Sequence, residues 1–149
     1  MGCVSSATTR HIYLDANVFI RFLEAEEKPL LSMFARAAEG ALALHTSELT
    51  LAEVLVKPFR DRDFRLAEAY RELVKSSDLL ALMAIDRTLL EESAMLRSWT
   101  GNKLADSIHV ATAKRCGCAI FLSEDARLKL PDGMLRMTPS ELEGRVLRP

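Results

Sequence analysis

Cysteine is scarce in this chain: 149 residues contain only Cys3, Cys116 and Cys118. A small odd number excludes a disulfide framework and points to a reduced, cytoplasmic setting. Cys116-Gly117-Cys118 is too short for the two-residue spacing usual at zinc sites, so it suggests small buried residues where a helix gives way to a strand. Long apolar runs are missing too. Charge interrupts every hydrophobic stretch well before the roughly 18 residues that a bilayer-spanning helix needs, which leaves no membrane role for such a helix. Nor does one sign of charge dominate: Lys+Arg 20 against Asp+Glu 21 gives a net charge of -1. No global field therefore draws the chain onto polyanions, and nucleic-acid binding would need a local basic patch. Absent as well are a glycine-rich phosphate loop and any nucleophile-elbow context for Ser47, Ser93 or Ser107, which excludes two large enzyme classes.

What is present is a 49% hydrophobic chain of single-domain length. Ile12 to Leu14 suggests a strand, and Val18, Phe19, Phe22 and Leu23 follow at helical spacing. Pro29 suits the first turn of a second helix that Gly40 stops. A strand is expected over 41–44. Thr50-Leu51-Ala52-Glu53 then opens a helix that Pro58 interrupts, and Asp61 or Asp63 caps the next. The run 79–85 is continuously apolar between Asp78 and Asp86, as in a strand buried on both faces. Asp86 caps a further helix, which 99–102 breaks before the helix of Asp106. The strand 118–122, a turn at 131–133 and a short strand 134–137 complete the pattern. Strands alternate with helices throughout, which predicts a three-layer α/β sandwich with a mostly parallel sheet. One domain is expected over 11–149, behind a frayed Ser/Thr-rich leader over 1–10. Met1-Gly2-Cys3 matches an acylation pattern at Gly2 and Cys3, but the leader is the simpler reading of these residues.

Four acids stand at strand ends or helix starts: Asp15, Glu53, Asp106 and Asp125. Each has a structural explanation of its own. Asp15 or Asn17 can cap a helix, Thr50 and Glu53 form a capping box, Asp106 suits the positive end of a helix dipole, and Asp125 can cap 126–128. Jointly they occupy the ligand-binding edge of a parallel sheet. Carboxylates suit a hard cation such as Mg²⁺ or Mn²⁺, which would also offset their mutual repulsion. His109, one helical turn after Asp106, is expected to be packed or hydrogen-bonded rather than a ligand. His11 and His45 have no evident acidic partner.

At these residues the chain resembles the PIN-domain family, and within it the VapC-like ribonuclease toxins of bacterial toxin-antitoxin pairs. The likeness runs from about residue 12 to 137. Ile12-Tyr13-Leu14-Asp15-Ala16-Asn17 resembles the opening strand with its Asp-x-Asn signature, and Leu49 to Leu55 the glutamate segment. Leu104-Ala105-Asp106-Ser107-Ile108-His109 resembles the third motif, and the stretch ending Ser123-Glu124-Asp125 the strand that closes in Thr-x-Asp. The departures are Ala16 and Ser123 where threonine is common, and Lys103-Leu104 where many relatives carry a further aspartate.

The resemblance implies a metal-dependent endoribonuclease with Asp15, Glu53, Asp106 and Asp125 holding one or two Mg²⁺ or Mn²⁺ ions, and Asn17 and Ser123 as polar auxiliaries. It also implies an RNA substrate, a small antitoxin protein and a homodimer. Lys57, Arg60, Lys103 and Lys114 are the candidates for RNA-backbone contacts. Two other classes compete. A catalytically silent PIN-like binding module would show a lost acid, and all four are present. A haloacid-dehalogenase-like phosphatase would need an aspartate where Asn17 stands.

Overall fold

The computed structural model describes residues 8–147. The acylation pattern at Gly2 and Cys3, and most of the expected leader, lie outside the described residues; Arg10 already pairs in the first strand. Five strands, β1 (Arg10–Leu14), β2 (Leu42–Ser47), β3 (Leu80–Met83), β4 (Ile120–Leu122) and β5 (Leu135–Met137), form one sheet in the order β3-β2-β1-β4-β5, with every pairing parallel. The expected fold class is the one observed. Alternation along β1 explains the layers, because successive side chains of a strand point to opposite faces. Ile12 and Leu14 join a core with Leu44 of β2 and with Phe19, Leu30, Met33 and Tyr70, supplied by helices α1 (Ala16–Ala25), α2 (Lys28–Ala38) and α5 (Phe64–Leu73). Tyr13 points the other way, into a core with Leu89, Leu96, Val110 and Phe121 beneath α6 (Arg87–Thr100) and α7 (Leu104–Arg115).

Between these lie α3 (Glu48–Val54) and α4 (Val56–Arg60), and α8 (Pro139–Leu142) runs into a π-helical turn over Glu143–Leu147. Several local signals act as expected. Pro29 sits in the first turn of α2, Asp63 accepts the Leu66 N–H and Asp86 the Leu89 N–H, and Gly40 stops α2 at φ 83. Others are overturned. Helix α3 starts at Glu48, where the Ser47 hydroxyl accepts the Leu49 N–H, so Thr50 and Glu53 make no capping box. Thr50 is buried and its hydroxyl bonds that of Thr46, while Glu53 lies near the opposite end of the helix from where it was expected. Pro58 sits inside α4. Its missing N–H would have bonded the Val54 carbonyl, and α3 ends at Val54, so the break falls one turn ahead of the proline.

Strand β2 runs on to Ser47 because it pairs with β1 and β3 on both sides, and because Thr46 donates to the Leu14 carbonyl. The apolar run 79–85 yields only the four-residue β3, an edge strand of which Leu80 alone is buried. At the other side, β4 begins at Ile120 rather than Cys118, which is used in the turn that ends α7.

Candidate functional site

In this strand order the chain winds one way from β1 to β2 and β3, then crosses back to β4. The gap beyond the carboxyl ends of β1 and β4 is therefore the switch point at which ligands bind in such sheets. Two of the four acids flank it. Asp15 follows β1 as the N-cap of α1, its Oδ1 accepting the Ala16 N–H at 2.7 Å. Its Oδ2 accepts the Ser123 hydroxyl at 2.9 Å, and that hydroxyl oxygen in turn accepts the Asp125 N–H at 3.1 Å. Ser123 thus ties the first acid to the loop carrying the last, and it is buried while doing so. Asn17 is exposed in the first turn of α1.

The third acid arrives from the helix layer. Asp106 lies in the first turn of α7, and burial raises its carboxyl pKa, with the nearby Asp15, Asp125 and Glu53 charges raising it further and His109 opposing. Asp125 is displaced the other way, held down by the Arg127 N–H and guanidinium and by the Lys103 charge. One carboxyl is thus short of positive partners, and its neighbour is supplied with them.

Glu53 is fixed by a chain that sequence reasoning did not supply. Its Oε1 bonds His109 Nε2, and His109 Nδ1 bonds the Tyr13 hydroxyl at 2.6 Å. Both rings are buried, while the Glu53 side chain remains 36% exposed. A carboxylate only accepts, so with the imidazole neutral Nε2 carries the hydrogen and Nδ1 accepts from Tyr13. Burial raises the Tyr13 pKa well above the usual phenol range, which keeps its proton in place. His109 is hydrogen-bonded, as expected, yet its partner is a candidate site residue 56 positions away.

The basic candidates separate. Lys103 precedes α7 and, with Arg127 and Lys129, lines a cleft of about 260 Å³ that also holds Asp106 and Asp125. Arg127 and Lys129 were not anticipated; their only sequence signal was proximity to Asp125. Lys57 pairs with Glu24 at 2.7 Å on α4, whose last turn holds Arg60. Lys114 stands in the last turn of α7, at the far end of that helix from Asp106.

The chemistry of the acids fits a hard cation: oxygen donors, partial exposure, and a carboxyl destabilised by burial and by like charge. They do not form a closed cage. Among the described residues, no three His, Cys, Asp or Glu side chains make an assembled metal-ligand set.

The profile of the PIN domain matches residues 12–133. The chain belongs to the PIN domain family. Solved PIN-like structures share its fold at low identity. VapBC2 from Rickettsia felis, bound to a DNA fragment from its promoter, aligns over 86% of this chain and 98% of the other with a TM-score of 0.70 and 10% identity. VapC20 of Mycobacterium tuberculosis, described as a sarcin-ricin loop cleaving toxin, aligns over 77% and 90% with a TM-score of 0.62 and 16% identity. A toxin-antitoxin complex from Klebsiella pneumoniae aligns over 86% and 97% with a TM-score of 0.61 and 21% identity. No protein of curated function matches in sequence. Within this PIN domain no described helix is long and apolar enough to cross a membrane.

Proposed function

We propose that this PIN domain is a metal-dependent endoribonuclease, hydrolysing RNA phosphodiesters with Mg²⁺ or Mn²⁺, and that it is the toxin of a cytoplasmic toxin-antitoxin pair. The observation that carries the reading is the approach of Asp15, Glu53 and Asp125 to Asp106, close enough for each charge to raise the Asp106 pKa, at the switch-point edge of the sheet. The donor set suits one ion, or two, with Asp15, Glu53, Asp106 and Asp125 as ligands. When bound, such an ion would activate water and stabilise negative charge on the phosphate.

The chain's own residues have separate tasks. Ser123 orients Asp15, and the Tyr13–His109 pair orients Glu53, so two ligands are held before any cation arrives. Asn17 faces solvent at the rim. Lys103, Arg127 and Lys129 line the cleft beside the acids, where cationic side chains hold an RNA backbone without reading sequence. The neighbouring structures described as a sarcin-ricin loop cleaving toxin and as a toxin-antitoxin complex support an RNA substrate and a small antitoxin partner. A homodimer is proposed as the assembly on the family resemblance alone.

The test is cleavage of mixed cellular RNA by the purified chain in Mg²⁺ or Mn²⁺, in EDTA, and with Asp15→Asn and Asp106→Asn variants. Cutting is expected only for the unmodified chain with cation, leaving 5′-phosphate and 3′-hydroxyl ends. Binding without cutting would replace the nuclease by a silent binding module. Cutting that survives EDTA and both substitutions would remove the acidic edge from the chemistry.

A further inference from the structure

The far end of α7 holds a second polar cluster that the acidic edge does not use. There the helix closes in a tight turn: the Cys116 N–H reaches the Thr112 carbonyl, the Cys118 N–H reaches the Ala113 carbonyl, and Gly117 between them takes φ 70. The turn places Cys116 and Cys118 on either side of one glycine, close enough for each thiol to shift the other's titration. Cys116 is half-buried and within reach of small solutes, whereas Cys118 is buried. Two histidines adjoin them from the sheet. His11 Nδ1 lies 2.9 Å from His45 Nε2, with the ring centroids 5.1 Å apart. The other nitrogen of His45, Nδ1, is the sole buried side-chain polar atom without a hydrogen-bond partner among the described residues, and the His45 ring is near enough to Cys116 to lower its pKa.

These contacts divide the thiols by role. The Cys118 thiol, with the His45 and His11 rings, holds Cys116 well below the usual thiol range against the opposing effect of burial, while Cys118 is pushed up by its neighbour Cys116 and by burial. A nucleophilic thiolate beside a protonated thiol is the pairing that stepwise thiol oxidation requires. A metal site does not fit, since no three of these side chains make an assembled ligand set.

We propose that Cys116 and Cys118 form a peroxide-responsive dithiol, separate from the nuclease reading, in which a hydroperoxide oxidises Cys116 and Cys118 resolves the product to an intramolecular disulfide. In the first step the Cys116 thiolate attacks the peroxide. An S–O bond forms, the O–O bond breaks, the departing alkoxide or hydroxide takes a proton, and sulfur loses two electrons to the peroxide. In the second step the Cys118 sulfur attacks the sulfenyl sulfur. An S–S bond forms, the S–O bond breaks, and water leaves with the Cys118 proton. An added dithiol reverses the change by exchange.

The experiment treats the full chain at neutral pH with one equivalent of hydrogen peroxide, alkylates the remaining thiols, and reads peptides by mass spectrometry. Cys116 and Cys118 are expected to lose their label together, with a mass fall of about 2 Da, at a rate about tenfold or more above that of Cys3, and dithiothreitol restores both. The Cys118→Ala variant is expected to stop at a sulfenic acid that dimedone traps, and His45→Gln, checked for folding by circular dichroism, to slow the oxidation. Cys116 reacting no faster than Cys3 would overturn the proposal. So would a wild-type product that stays sulfenic or sulfinic, or a His45→Gln variant that folds and oxidises at the wild-type rate.

Discussion

Helix α7 is polar at both ends and dry between them, with Val110, Ala111 and Ala113 fully buried, yet its two ends are partnered in opposite ways. At the carboxyl end, the carbonyls of Thr112 and Ala113 are satisfied by the turn through Gly117, and His11 bonds His45 near the two cysteines. At the amino end, burial and the nearby Asp15, Asp125 and Glu53 charges raise the Asp106 pKa, and His109 offsets them only in part. The first arrangement is largely satisfied within the chain, His45 Nδ1 excepted. The second is electrostatically unfinished, and a structure that keeps such a deficit calls for a ligand to fill it.

Substitutions at the two ends should separate function from thermodynamics. The largest effect expected is on cleavage: Asp106→Asn lowers it about a thousandfold or more, as loss of several kcal/mol of charge stabilisation implies, whereas Cys116→Ser leaves the rate in reductant unchanged. Equal losses from both would break the contrast. Next, Mg²⁺ or Mn²⁺ at about a hundred times its dissociation constant should stabilise the chain by about 2.7 kcal/mol, read as a rise in thermal midpoint that Asp106→Asn removes.

A smaller effect tests the chain behind Glu53. Tyr13→Phe deletes the hydroxyl that faces His109 Nδ1 and leaves that buried nitrogen unpaired, at a cost of about 1–3 kcal/mol in urea unfolding. The smallest concerns acid. Asp106 has its pKa raised in the folded state, so its carboxylate costs stability above that pKa, and protonation relieves the cost as pH falls toward the unfolded value. Without cation, Asp106→Asn should therefore be the more stable protein near neutrality, and the gap should close on acidification in paired denaturation curves. A gap that widens would mean the charge is compensated.

Local rules made much of this fold legible. Pro29, Asp63, Asp86 and Gly40 act through neighbours within four residues, and each does in the structure what its chemistry suggests. The apolar run Ile12 to Leu14 likewise placed Asp15 at a strand end. Local reasoning failed where a distant partner outbid a near one. Thr50 and Glu53 carry the spacing of a capping box, but Thr46 takes the hydroxyl and His109 takes the carboxylate, the latter from the opposite layer. In the same way, the run 79–85 has the composition of a central strand, and nothing within it says that β3 lies at the edge. Arg127 and Lys129 became visible as cleft residues only once the loop after β4 was folded against α7.

Whether the acidic edge is a cation site is tested most directly by a calorimetric titration of Mn²⁺ into the purified chain. Saturable binding of one or two ions, weakened at least about tenfold in Asp106→Asn and unchanged in Cys116→Ser, is the predicted result. Binding that is absent, or equally strong in Asp106→Asn, would contradict it.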